Sequence, residues 1–118
     1  MSTEENTFQP PIDLTVAATK IVAIGSITEK GMPLKDRFPV LLHEVPATLN
    51  LYLSGKLEIM FVKTNVSGVV FVLNVTTVEE AHELLEALPF GQAGMMEFDL
   101  IPVGPLSPLR LLLNQTDK

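Results

Sequence analysis

GVVFVLNVTTVEEAHELLEALPFGQAGMMEFDLIPV, residues 68–103, reads as strand, capped helix, turn and strand. Residues 68–75 are a β-branched and aromatic run of strand length. Thr77 offers a side-chain oxygen as N-cap, and Glu80, three residues on, completes a capping box. Val78, Ala81, Leu84, Leu85 and Leu88 then recur at helical spacing and make one apolar stripe. Pro89 and the glycine loop 91–94 end the helix, and 95–103 is extended again.

Working upstream, residues 20–28 read as the first strand and 29–33 as a turn. Residues 34–54 are helical in pattern but contain Pro39 and Pro46. Each removes an amide donor and disfavours helix at the residue before it. The expectation is a short helix over 39–44, a bend, and a second helix with Pro46 first and Gly55 past its end. Leu49, Tyr52 and Leu53 would form its buried side. Residues 57–64 give a second strand, joined to the third by a hairpin turn at 65–68. The order β-α-β-β-α-β predicts an α+β, ferredoxin-like fold with an antiparallel sheet and both helices on one face. Residues 1–19, with Pro10-Pro11, read as an N-terminal arm, 20–104 as the domain, and 105–118 as a tail. Four leucines within 109–113 should pack that tail on the domain or on a partner subunit.

An antiparallel sheet with one face in water should alternate polar and apolar residues. These strands do not. The second offers Leu57, Ile59 and Phe61 on one face and Met60 and Val62 on the other; the third sets Val69, Phe71, Leu73 and Val75 against Val70 and Val72. Helices cover one face, so the economical cover for the other is a second copy of the sheet, a dimeric α+β barrel. At 118 residues and 47% hydrophobic, the chain is small for so much apolar material, which argues the same way.

No apolar run reaches the roughly 18–20 residues a membrane span needs. The acidic, polar start lacks the marks of a secretory signal, so a cytoplasmic protein is expected. Zero cysteines exclude thiolate chemistry, and a net charge of −6 argues against nucleic acid as a partner.

Elimination narrows the chemistry. The chain shows no serine elbow, no phosphate-cradling glycine loop and no metal-ligand spacing, so no metal or cofactor is expected. General acid–base work by histidine or carboxylate is what remains. His82 lies beside the apolar stripe with Glu79 and Glu86 on its side; it is either a pocket-edge acid–base or a boundary histidine. His43 and Glu44 precede Pro46, and being neighbours about 100° apart on a helix they face one atom only if the bend redirects them. Otherwise they are a solvated helix end. Lys63 shares parity with Leu57, Ile59 and Phe61, so it is a pocket cation for a substrate carboxylate or a strand-end lysine reaching water. Glu58 faces the other way and needs a partner or a role as base; Tyr52 could hydrogen-bond a ligand or pack on the sheet. Met95-Met96 reads as core filling.

Residues 75–89, with His-Glu-Leu-Leu and a closing Leu-Pro, resemble the second-helix segment of muconolactone δ-isomerases. Residues 96–103 are similar to that family's last strand, and Ser54-Gly55-Lys56 to its helix-ending Gly-Lys. The resemblance spans roughly 20–106 and is better from 69 onward. It implies a dimeric α+β barrel and a cofactor-free isomerase acting on a small carboxylated lactone or related ring. The family's second strand is basic and aromatic, whereas here it offers only Lys63; the 91–94 loop is longer, and arm and tail are additions. On this reading His82, His43 and Glu44 supply proton transfer, while Lys63, Tyr52 and Glu58 bind substrate. Two other functions fit the same sequence: a non-catalytic binder of a small apolar ligand, and a structural homo-oligomer.

Overall fold

The structure, a computed structural model, describes residues 8, 11–64 and 68–116. Strand β1 (Lys20–Ile27) leads through a 3₁₀ turn into helix α1 (Leu34–Leu53). A hairpin of β2 (Leu57–Val62) and β3 (Gly68–Leu73) follows; its turn, expected at 65–68, lies mostly outside the described residues. Then come α2 (Val78–Glu86), the one-turn α3 (Pro89–Gln92), β4 (Met96–Val103) and, after a second 3₁₀ turn, α4 (Leu111–Thr116). The four strands form one antiparallel sheet in the order β2-β3-β1-β4, so the chain has the ferredoxin-like α+β fold.

The deciding stretch folds much as its pattern predicts. Thr77 Oγ1 accepts from the Glu80 amide at 3.1 Å, capping α2. The return half of the capping box is replaced, because Glu80 Oε2 instead meets Lys56 Nζ at 3.4 Å. Ala81, Leu85 and Leu88 bury against Ile21, Ala23, Phe71 and Leu73, while Val78 stays exposed at the helix start. Residues 89–92, leading into the glycine loop, form a turn of helix. Pro89 at its first position suits a terminus whose amides have no internal partner. Gly91 is required there, because a Cβ would run into the Leu85 carbonyl oxygen at the end of α2.

Two expectations fail, and both failures shape the site. First, α1 is a single 20-residue helix that contains Pro39 and Pro46, not two helices around a bend. Its inward face, Val40, Leu41, Glu44, Ala47, Thr48 and Leu51, recurs at three- and four-residue spacing toward the sheet. The prolines sit seven residues apart on the outward face, so each loses one hydrogen bond without disturbing the packed side. Consequently Leu49, Tyr52 and Leu53 are not the buried side: they are exposed, Leu53 at 79%. The helix ends as expected, with Gly55 at φ +88° just beyond it.

Second, β2 does not keep a simple alternation. Leu57 pairs with Leu73 but Ile59 pairs with Val72, which leaves Glu58 as an extra residue in a bulge. Past the bulge the faces exchange. Met60 and Val62 join Leu57, Phe71 and Val69 on the helix side, and Ile59 and Phe61 turn to the other. Both helices cover one face. The opposite face carries Val22, Ile24, Val70 and Val72 at its centre, half-buried in the single chain, with Ile59 and Phe61 beside them. Ile101 and Val103 extend it across β4. In the tail, Leu109, Leu111 and Leu112 remain exposed on the single chain.

Candidate active site

Between α1, the β2–β3 hairpin and α3 lies an open-mouthed cavity of about 260 Å³. Leu41, Val45 and Leu49 of α1 form one wall. Met60, Val62, Val69 and Phe71 of the hairpin form another, Phe61 of the edge strand borders it although its register puts it on the other face, and Phe90 and Met96 close the end. Only two lining residues are polar, Glu44 and Thr48. They are also the only buried polar residues among those described.

Glu44 is 6% exposed and held by two hydrogen bonds. The Phe90 amide donates to Oε1 at 2.9 Å, and Thr48 Oγ1 donates to Oε2 at 3.2 Å. Local chemistry explains both. Phe90 is the second residue of α3, so its N–H has no partner within that helix. Thr48 is one turn beyond Glu44, the spacing at which helical side chains meet. Burial pushes the Glu44 carboxyl above the usual glutamate range, and the Phe90 and Thr48 bonds oppose that rise without cancelling it. The result is a carboxyl group in apolar surroundings whose neutral form is favoured more than it is in water.

Of the six candidates from sequence, Glu44 alone lines this cavity. His43, its neighbour, is exposed, because an unbroken helix carries it about 100° round toward solvent. His82 is exposed on α2 and borders a separate hollow of about 300 Å³ with Glu86, Glu97, Phe98 and Leu100; Met96 borders both hollows. Lys63 points away from the helices. Its Nζ donates to Ser26 Oγ at 3.0 Å on the open sheet face. Glu58, the bulge residue, pairs with Lys20 at 2.8 Å, both side chains 40% exposed. Tyr52 is exposed, one turn beyond Leu49 on α1, and does not line the cavity. No group of three or more metal-ligating side chains occurs among the described residues.

Sequence reasoning missed Thr48 and Phe90. Thr48 carried a signal, since it stands at i+4 from Glu44, but only if the helix is unbroken. Phe90 carried none, because its contribution is a backbone amide 46 residues away.

No known protein family and no curated protein matches the sequence. Among solved structures, the fold is similar to that of 5-chloro-2-hydroxyhydroquinone dehydrochlorinase from Burkholderia phenoliruptrix in complex with 2,5-dihydroxybenzoquinone. The TM-score is 0.58 at 14% identity, over 71% of this chain and 92% of that one. At that identity the likeness is one of fold. The antiparallel α+β architecture is therefore shared with a protein that acts on a small substituted ring.

Proposed function

We propose that this protein is a cofactor-free catalyst of proton transfer on a small ring compound, isomerase-like in the reaction it runs, with Glu44 as its acid–base group. The observation that carries the proposal is the Glu44 carboxyl: buried, desolvated, fixed by Phe90 and Thr48, and bordering a cavity whose one other polar lining residue is Thr48. A cavity of about 260 Å³ falls just below the usual span of ligand sites, about 300–1,000 Å³, and so suits nothing larger than a single ring. The similar fold bound to a dihydroxybenzoquinone supports a ring of that size. In the step itself, carboxylate Glu44 takes a proton from the carbon next to a ring carbonyl, and the carbon–hydrogen electron pair moves into the ring as a dienolate. The same carboxyl then returns the proton at the far carbon. The double bond migrates, and nothing is oxidised or reduced. Such acid–base assistance contributes about 10²–10⁴-fold to a rate.

A neutral β,γ-unsaturated butenolide followed by NMR in D₂O tests this. Double-bond migration with deuterium uptake is expected for the wild type. Glu44→Gln should lower the rate by about 10²-fold or more, and His43→Ala and His82→Ala should leave it near wild type. A Glu44→Gln variant as fast as wild type would show that the carboxyl does no chemistry. The second reading, a non-catalytic binder of a small apolar ligand, is favoured by the presence of one acid and no second acid–base side chain in the lining; binding without turnover would select it.

The open sheet face supports a homodimer for either reading. Val22, Ile24, Val70 and Val72 form an apolar centre, and the Lys20–Glu58 pair and Lys63 lie at its margin. The four leucines of 109–113 offer a second surface for a partner subunit.

A further inference from the structure

We infer that the cavity selects uncharged ring compounds, with a hydroxyl or carbonyl oxygen set against Glu44, and rejects carboxylated ones. The inference rests on the ring-binding reading above and narrows its substrate class. Three observations carry it. Among the described residues, no lysine, arginine or histidine lines the cavity, so an anionic substituent would have no counter-charge there. The cation expected there from sequence, Lys63, is engaged with Ser26 on the opposite face of the sheet, where the Glu58 bulge has turned that part of β2. The one ionisable group that does line the cavity is itself an acid. A bound carboxylate would face Glu44 across a low-dielectric space, and like charges so placed repel strongly.

A neutral oxygen meets the opposite situation. Oε1 is occupied by the Phe90 amide and Oε2 by the Thr48 hydroxyl, but each carboxyl oxygen has a second lone pair. Ionised Glu44 can accept from a phenolic O–H, and protonated Glu44 can donate to a carbonyl. Both arrangements keep every buried polar group partnered. The rest of the ring lies against Val69, Phe71 and Phe90, where no polar group competes.

Matched probes separate the possibilities. Binding of p-cresol and of 4-hydroxybenzoate, which differ by a methyl against a carboxylate, is measured at pH 7 by NMR titration and by thermal shift. The expected result is saturable binding of p-cresol and affinity at least tenfold weaker for 4-hydroxybenzoate. Leu49→Arg, which puts a cation on a half-exposed wall residue, should raise the affinity for 4-hydroxybenzoate by tenfold or more. Equal or tighter binding of 4-hydroxybenzoate by the wild type would overturn charge selection and leave the acid–base reading of Glu44 standing. Failure of both probes to bind at millimolar concentration would overturn the inference together with the ring-binding reading beneath it.

Discussion

Glu44 answers to two demands, and they pull on its proton in opposite directions. Burial favours the neutral acid, whereas the Phe90 amide and Thr48 hydroxyl favour the anion, and burial prevails. The consequence for stability has a definite sign. In the unfolded chain the group titrates near its ordinary value of 4.5, and in the folded chain above it. Between those two values the folded chain holds more proton than the unfolded one, so stability is fully present below the unfolded value and falls as pH rises through the window. Glu44→Gln keeps an amide oxygen for the Phe90 N–H and removes the titration. Calorimetric melting across pH of about 4.5 to 8 should therefore show the wild type losing stability relative to Glu44→Gln as pH rises. Parallel curves would mean that the carboxyl ionises as freely folded as unfolded.

Helix α1 shows what a local proline signal can and cannot decide. An interior proline costs about 3 kcal/mol, yet α1 accommodates two because its inward residues pack on the sheet from Val40 to Leu51. Pro46→Ala restores an amide donor to the Leu42 carbonyl on the exposed side, and should stabilise the protein by about 1–3 kcal/mol, read from the denaturant midpoint. A loss of stability would show that the proline's geometry is needed to seat Glu44. The same contrast sets what was legible in the sequence. Helix α2 could be read outright because its cap, stripe and stop all lie within a dozen residues. The continuity of α1 could not, since it depends on packing against residues far along the chain. Nor could the bulge in β2: Leu-Glu-Ile-Met-Phe-Val is apolar on both parities past Glu58, so no polar marker reports which face is which. Of the site, the carboxyl was legible as an inventory of acid–base groups, whereas its selection over His43 and His82 required knowing that the helix does not bend.

At the scale of the whole molecule, the sheet is apolar on both faces while the helices cover only one. Val70 lies at the centre of the other face, paired with Ile24 and Phe61. Light scattering at micromolar concentration should find a dimer, through an interface of about 800 Å² per partner, and Val70→Lys should give monomers that still melt cooperatively. A wild type that scatters as a monomer would show that this face is not an interface. Which residues belong to the interior and which to the outside in β2 depends on Glu58 being left out of the ladder. Deleting that single residue would leave 59–62 in their present pairings and on their present faces, whereas absorbing it into the ladder would swing Met60 and Val62 outward and carry Ile59 to the helix side. The hollow's shape is thus written in a count of residues as much as in their identities. An ungapped alignment to a relative lacking the bulge would match wall positions to surface positions along the rest of the strand, and comparisons of substrate specificity across such relatives must place the gap at 58 before any lining residue is compared.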